Sequence, residues 1–201
     1  MQHCRKSYRT VSCNQNLNWW HIHQSVRAIE HGGVIAYPTE AVWGLGCDPF
    51  NQDAVSHLLK IKRRPVDKGL VLVAGNLSQI QFLLDDLSAE EYDKVTASWP
   101  GPYTWVLPDK KDIIPRWIKG KHSSVAVRVS DHLLVKKLTE TYGSFIVSTS
   151  ANPSAHCPAK DILRVNTYFG SELDYVLPGC LGGLSQPTQI KDLKSDRIVR
   201  V

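Results

Sequence analysis

Hydrophobic and polar positions follow two different periods along the chain, and each period predicts one kind of element. Apolar residues spaced three or four apart predict amphipathic helices over residues 19–29, 52–61 and 132–142. Short apolar runs are typical of buried strands, and they lie at residues 34–37, 70–74, 103–107, 125–129 and 145–148. Shorter candidate strands follow at residues 175–177, 189–193 and 198–201. Because strands and helices alternate, the pattern favours an α/β fold with a mixed, mostly buried sheet.

Polar residues and glycines mark the boundaries of these elements. Side chains able to accept a hydrogen bond from a helix N-terminus predict the N-caps Asn18, Asn51, Asn76, Ser88, Asp131 and Asp161. Gly143 predicts the end of the helix before it. Residues 39–46, with two glycines after a proline, predict a tight loop or short helix. Residues 1–17 are polar and show no regular spacing of apolar positions. This pattern predicts a mobile N-terminal extension ahead of one domain at 18–201.

Composition narrows the class of protein. At 201 residues and 42% hydrophobic the chain can bury the core of one domain. No run approaches the roughly 20 apolar residues of a membrane span, and no charged start precedes an apolar segment as in a signal peptide. We therefore expect a soluble, cytoplasmic protein. Lys and Arg exceed Asp and Glu by 24 to 19, which favours a polyanionic partner only slightly.

Several familiar chemistries are unsupported. The sequence contains no P-loop, no Gly-x-Gly-x-x-Gly, no Gly-x-Ser-x-Gly and no His-Glu-x-x-His. The five cysteines are odd in number and never spaced as Cys-x-x-Cys, which predicts neither a disulfide framework nor a zinc knuckle. No metal-ligating set of residues is predicted.

Three polar segments carry the candidate chemistry, and each lies at the end of a predicted strand. They are residues 37–48, 60–68 and 148–154. Each also has a purely structural interpretation: a strand-to-loop turn, cations that complement a helix C-terminus, and an Asn-Pro turn. Lys68 lies beyond that helix end, and Lys62 with Arg64 can grip two oxygens of a phosphate chain. Since α/β folds place ligands outside strand ends, convergence on one pocket is expected.

These segments resemble the signatures of the YrdC/TsaC family. The resemblance is carried by Tyr37-Pro-Thr-Glu40, the Lys-x-Arg of Lys62 and Arg64, and the Ser-x-Asn of Ser150 and Asn152. Further matches are residues 99–102, 124–129 and 187–190, followed by Arg200. The resemblance implies a YrdC-like fold, in which a twisted mixed sheet with flanking helices encloses a large basic cavity, in the short bacterial form. It implies an enzyme that makes threonylcarbamoyl-AMP and pyrophosphate from L-threonine, hydrogencarbonate and ATP. A threonylcarbamoyl transferase complex then uses the adenylate to modify tRNA.

The resemblance also implies roles for individual residues. Those expected to bind ATP are Lys62, Arg64, Ser124, Ser150, Asn152 and Arg200. Those expected to bind threonine are Thr39, Arg128, Ser148 and Thr188. Lys62, Arg64 and Lys68 are expected to stabilise the charge that develops at the α-phosphorus. Mg²⁺ is expected on the phosphates, with Glu40 and Asp48 as outer-sphere helpers.

Two other functions compete with this interpretation. A basic cavity can also hold double-stranded RNA or tRNA, and an RNA-binding module acting in ribosome maturation or translation is the main alternative. In such a module the bases of the bound RNA would stack on tryptophan side chains. The candidates are Trp19, Trp20, Trp105 and Trp117. The other alternative is a related enzyme that makes a carbamoyl-adenylate from another donor. Such an enzyme normally carries additional zinc or acylphosphatase domains, whose signatures the sequence lacks.

Overall fold

The computed structural model describes residues 19–200, and of Arg200 only the backbone. The predicted extension at 1–17 and the predicted cap Asn18 lie outside the described residues. The helices are α1 (Trp19–Glu30), α2 (Gln52–Ile61), α3 (Gln81–Leu84), α4 (Ala89–Thr96), α5 (Arg116–Lys119), α6 (Leu133–Tyr142) and α7 (Ile162–Phe169). The strands are β1 (Ile35–Pro38), β2 (Trp43–Gly46), β3 (Val71–Ala74), β4 (Tyr103–Pro108), β5 (Ser124–Val129), β6 (Ile146–Ser150), β7 (Tyr175–Val176), β8 (Gln189–Asp192) and β9 (Ile198–Arg200).

The described strands form one mixed sheet, as the alternation of elements predicts. Its order is β7-β1-β2-β6-β3-β5-β4-β8-β9. The pairs β1–β7, β3–β5 and β4–β8 are parallel, and the other pairs are antiparallel. The α/β class and the twisted mixed sheet with flanking helices are therefore confirmed.

Side chains that alternate along the strands supply two hydrophobic clusters, one on each face of the sheet. Leu72 and Val147 belong to the larger cluster, whereas their neighbours Val73 and Ile146 pack with α1 and α6 in the smaller one. Val71 lies on the same face as Val73 because side chains two apart in a strand point the same way. Val71 lines a cavity rather than a helix. One face is thus covered by helices along part of its strands and open to a cavity along the rest.

Most of the predicted helix caps are confirmed. The side chains of Asn51 and Asp161 accept from the backbone N–H three residues ahead, and Ser88 forms a reciprocal capping box with Glu91. Asn76 caps a short 3₁₀ turn in the same way. The cap predicted at Asp131 is wrong, because α6 begins after His132 and makes no side-chain cap bond. The Asp131 carboxylate instead pairs with Lys136.

The loop predicted at residues 39–46 is wrong in its second half, which is strand β2. Its two glycines do not break the strand; they let the neighbouring strands come close. A Cβ at Gly46 would lie 2.6 Å from the carbonyl oxygen of Val147, and one at Gly44 would lie 3.3 Å from the Tyr37 ring. Composition indicates a loop here, whereas pairing with β1 and β6 requires a strand.

Two further sequence predictions concern cysteines and membranes. Cys47 and Cys157 are free thiols, whereas Cys180 is disulfide-bonded, a bridge that the cysteine spacing did not predict. No helix within residues 19–200 combines the length and the apolar character needed to cross a membrane.

Candidate active site

A cavity of about 1010 Å³ opens on the sheet face beside α1 and α6. Ten of the eleven binding residues expected from the sequence line it. They are Thr39, Lys62, Arg64, Lys68, Ser124, Arg128, Ser148, Ser150, Asn152 and Thr188. The eleventh is Arg200, whose backbone belongs to β9 while its side chain lies outside the described residues. Segments more than a hundred residues apart in sequence are therefore brought to one site.

The cavity has two ends, which the strand register separates. Ser124 and Arg128 lie on the same face of β5, four residues apart, and a strand rises by about 3.3 Å per residue. They are thus roughly 13 Å apart along the strand. We call the part around Lys62, Arg64, Lys68, Ser124, Ser150 and Asn152 the Lys62 end, and the part around Thr39, Arg128, Ser148 and Thr188 the Arg128 end.

At the Lys62 end, the way α2 terminates aims alternate side chains at the cavity. Lys62 is the C-cap of α2, and Arg63 turns into the left-handed region at φ 51°. Lys62 and Arg64 consequently both line the cavity, whereas Arg63 is exposed and does not. The sequence predicted this pairing of Lys62 with Arg64 from their spacing alone.

Lys62 is almost completely buried, with 3% of its surface exposed. Its Nζ donates to the carbonyl oxygens of Ser150 and Asn152, the latter at 2.7 Å. A buried ammonium requires such acceptors, since desolvation without hydrogen bonds costs several kcal/mol. These two bonds fix the position of the ammonium at the edge of the cavity.

Main-chain contacts also shape the loop that follows Lys62. Arg64 Nη2 donates to the carbonyl of Gly69 at 2.9 Å, where Gly69 adopts φ 62°. The hydroxyl and the amide of Ser154 donate to the carbonyls of Arg63 and Lys62, each at 2.8 Å. Residues 60–68 and 148–154, the second and third polar segments of the sequence, are thus joined by direct hydrogen bonds.

Asn152 lines the cavity at this end, but its amide nitrogen is used to close its own turn. Nδ2 donates to the carbonyl oxygens of Pro153 at 3.0 Å and His156 at 2.7 Å. Its Oδ1 is buried and accepts no hydrogen bond from the residues the structure describes. Asn152 therefore contributes first to the shape of the loop.

Sequence reasoning missed several basic residues that line the cavity from the connection at 109–123. They are Lys119, Lys121 and His122. Lys119 is buried, and its Nζ donates to the carboxylates of Asp109, at 2.7 Å, and Asp112. Burial alone would lower the pKa of Lys119, but the bonds to both carboxylates outweigh it and raise that pKa. The excess of basic residues in this connection was the available signal.

At the Arg128 end, Arg128 and Ser148 are held in place by hydrogen bonds with other side chains. Arg128 is 8% exposed, and its Nη1 donates to Thr188 Oγ1 at 3.1 Å. Ser148 Oγ accepts from the buried Tyr37 hydroxyl at 2.8 Å. Thr39 Oγ1 donates to the carbonyl of Val42 at 2.7 Å, which fixes the loop after β1. The four residues expected to bind threonine therefore each have a defined orientation.

Glu40 lies behind this end and does not line the cavity. Its Oε1 accepts from Ser130 Oγ at 2.5 Å, and its Oε2 is 3.5 Å from Arg128 Nη1. Burial raises the pKa of the Glu40 carboxyl, but Arg128 and the Ser130 hydrogen bond outweigh burial and lower it overall. Asp48 is also outside the cavity lining, and its Oδ1 accepts from the amide of Phe50. Both expected outer-sphere carboxylates are thus absent from the wall.

The four tryptophans considered as stacking surfaces for bases do not line the cavity. Trp105 is 3% exposed, and the indole N–H of Trp117 donates to the carbonyl of Pro49 at 3.0 Å. Trp19 and Trp20 are exposed on α1 and do not line the cavity. Direct RNA binding through these residues remains a prediction.

The part of the chain that resembles known proteins includes the whole of this site. The Sua5/YciO/YrdC model, described as telomere recombination, matches residues 27–201, which include every residue lining the cavity. A threonylcarbamoyl-AMP synthase of Pseudomonas entomophila (strain L48) is 51% identical over 181 residues, or 90% of this chain and 97% of that protein. P. abyssi Sua5 complexed with L-threonine gives a TM-score of 0.80 at 29% identity, covering 86% of this chain and 51% of that one. The structure of E. coli YciO gives a TM-score of 0.76 at 26% identity, and the match covers 90% of this chain and 87% of that one.

Proposed function

The chain belongs to the Sua5/YciO/YrdC family, and from that premise we propose that it is a threonylcarbamoyl-AMP synthase. The enzyme joins L-threonine, hydrogencarbonate and ATP into threonylcarbamoyl-AMP and releases pyrophosphate. The observation that carries the proposal is one cavity lined at one end by Lys62, Arg64 and Lys68 and at the other by Arg128 with the hydroxyl groups of Thr39, Ser148 and Thr188. Ligand pockets usually measure about 300–1,000 Å³, so this cavity is large enough for a nucleotide beside an amino acid.

The Lys62 end suits the triphosphate. Two anions must approach each other in this reaction, since a carbamate attacks the α-phosphorus of ATP. Repulsion between one close pair of unit charges is about 4 kcal/mol at 4 Å and an effective dielectric near 20. Lys62, Arg64 and Lys68 offset this repulsion and stabilise the charge that builds up on the phosphoryl oxygens. Ser124 and Ser150 supply hydrogen bonds to the nucleotide.

The Arg128 end suits the amino acid. A guanidinium can bind a carboxylate through two parallel hydrogen bonds, which sets orientation as well as affinity. Thr39, Ser148 and Thr188 surround Arg128 with hydroxyl groups that complete the threonine site. With the carboxylate at Arg128, the amino group is free to point along β5 toward the phosphates.

The reaction needs no nucleophile from the protein. The amine of threonine replaces the hydroxyl group of hydrogencarbonate, that hydroxyl leaves as water with one amine proton, and an N-carboxylate results. One oxygen of that N-carboxylate attacks the α-phosphorus, and the bond to the β-phosphate oxygen breaks as pyrophosphate leaves. The protein's contribution is to hold the reacting groups in line and to balance their charge.

Mg²⁺ is proposed to arrive with ATP. Within residues 19–200 no cluster of three or more His, Cys, Asp or Glu side chains is placed to hold a metal ion. Asp67 is the one carboxylate beside Lys68 in the described lining of the cavity, and its neighbours Lys62, Arg64 and Lys68 are cations that suit phosphate oxygens. The ion is therefore treated as part of the substrate.

The product is proposed to pass to a threonylcarbamoyl transferase complex that modifies tRNA, and tRNA modification implies a cytoplasmic location. The proposal is tested by incubating the protein with ATP, Mg²⁺, threonine and hydrogencarbonate and detecting the adenylate by mass. Each component is omitted in turn. We expect threonylcarbamoyl-AMP only in the complete mixture; pyrophosphate release that is independent of threonine would contradict the proposal.

A further inference from the structure

Two residues of the Tyr37-Pro-Thr-Glu40 segment lie behind the cavity wall rather than in it. Thr39 lines the cavity, but Tyr37 and Glu40 do not. Tyr37 is completely buried and Glu40 is 7% exposed. Each nevertheless contacts one side chain that does line the cavity at the Arg128 end: Tyr37 contacts Ser148 and Glu40 contacts Arg128.

The contact between Tyr37 and Ser148 fixes which hydroxyl donates. A buried hydroxyl that keeps its proton unbonded loses about 1–3 kcal/mol, so the Tyr37 proton goes to Ser148 Oγ, 2.8 Å away. Burial raises the pKa of Tyr37, which keeps that proton in place. Ser148 Oγ is then an acceptor toward Tyr37, and its own proton must point elsewhere. Since Ser148 lines the cavity, that proton is available to an acceptor on a ligand.

The contact between Glu40 and Arg128 acts through charge. Ser130 holds one carboxylate oxygen at 2.5 Å, while the other oxygen, 3.5 Å from Arg128, is buried and accepts no hydrogen bond from the described residues. The carboxylate therefore attracts the guanidinium without using up its N–H groups. A buried Arg128 without this counter-ion would shift toward water or toward the phosphates. Glu40 is not placed to act as a base, because it does not reach the cavity.

We propose that Tyr37 and Glu40 are positioning residues for the amino-acid substrate, and that they orient Ser148 and Arg128 so that both present N–H or O–H donors to its carboxylate. This inference rests on the proposed function of the cavity. Both residues lie at the end of β1, and both orient a cavity-lining side chain without lining the cavity themselves. The Lys62 end has no part in it, so binding of ATP should not depend on either residue.

The test compares Glu40→Gln and Tyr37→Phe with the wild-type full-length chain. Both substitutions keep the size of the side chain. We expect Glu40→Gln to raise the KM for threonine by about 10-fold or more, because it removes an interaction with a charged group. Tyr37→Phe removes a hydrogen bond between neutral groups, so it should raise the KM for threonine by about 2- to 10-fold. The KM for ATP should stay within about two-fold in both variants. Threonine-induced thermal stabilisation without ATP should weaken in parallel, which gives a readout independent of turnover.

Tyr142→Phe is the matched control, because Tyr142 is a half-buried tyrosine that packs against the smaller hydrophobic cluster and does not line the cavity. It should leave both KM values unchanged. If Glu40→Gln does not fold, Ser130→Ala decides the question, since it removes the bond that holds the Glu40 carboxylate but keeps its charge. An unchanged KM for threonine, or an equal rise in both KM values, would overturn the inference. A wild-type chain that binds threonine but makes no adenylate would instead overturn the proposed function.

Discussion

The two ends of the cavity hold their cations in different ways. At the Lys62 end, Lys62 and Arg64 donate to main-chain carbonyls of Ser150, Asn152 and Gly69. At the Arg128 end, the guanidinium lies beside the buried carboxylate of Glu40. The first arrangement fixes two cations through main-chain acceptors, whereas the second places a cation beside a carboxylate that offsets its charge. The proposed function assigns ATP to the Lys62 end, where Lys62, Arg64 and Lys68 line the cavity, and the single carboxylate of threonine to the Arg128 end.

The largest expected effect comes from removing a cation at the Lys62 end. Lys62→Ala or Arg64→Ala should lower pyrophosphate release by 100-fold or more, on the order of 3 kcal/mol, because the charge at the α-phosphorus loses its stabilisation. Arg63→Ala is the matched control, since Arg63 lies between them but does not line the cavity. It should keep turnover within about two-fold. Wild-type turnover in either of the first two variants would remove that residue from the mechanism.

A second prediction concerns the main-chain contacts that support the Lys62 end. Gly120 has φ 64°, and a Cβ there would lie 2.6 Å from the carbonyl oxygen of Asp67, in the turn before Lys68. Gly120→Ala should therefore cost about 3 kcal/mol of stability and raise the KM for ATP. Gly143 has φ 82° but open space around it, so Gly143→Ala should cost only about 1 kcal/mol. Thermal unfolding measures both variants; equal losses would show that the contact with Asp67 does not matter.

A third prediction addresses the Arg128 end alone. Arg128→Lys keeps the positive charge but loses the planar fork that binds a carboxylate through two bonds. The KM for threonine should rise by about 10-fold while the KM for ATP changes little. Steady-state kinetics with each substrate varied in turn measures this separation. A larger effect on ATP than on threonine would mean that the two ends are assigned the wrong way round.

The smallest effect is expected at the free thiols, which belong to neither end. Cys47 is completely buried, and burial raises its pKa, so it should resist alkylation at neutral pH. Cys157 is exposed and does not line the cavity. Cys157→Ser and Cys47→Ala should both retain turnover within about two-fold. Loss of activity in a folded variant would show that a thiol contributes to the reaction.

The sequence predicts what depends on local chemistry. Caps such as Asn51, Ser88 and Asp161 were predicted correctly because a side chain satisfies the backbone donor three residues ahead. Strand β2 was missed, since its two glycines are explained only by the strands packed against them. Asp131 was predicted as a cap, but α6 begins only after His132 and has no side-chain cap.

The same distinction holds for the site. Residues that line the cavity carry recognisable motifs at strand ends, so they could be expected before the fold was known. Tyr37 and Glu40 belong to one of those motifs, but their contacts with Arg128, Ser130 and Ser148 join residues about 90 to 110 positions apart in sequence. Only the register of β1, β6 and β5 in the sheet brings these residues together. The positions of Lys119, Lys121 and His122 depend likewise on how an irregular connection folds against the loop at 62–69.

The claim on which the account depends is that one cavity seats both substrates at once. A crystal structure with threonine and a non-hydrolysable ATP analogue tests it most directly. We predict phosphate oxygens at Lys62 and Arg64, the threonine carboxylate at Arg128, and the threonine amine facing the α-phosphate. Either ligand bound outside this cavity, or the two bound at sites too far apart to react, would contradict it.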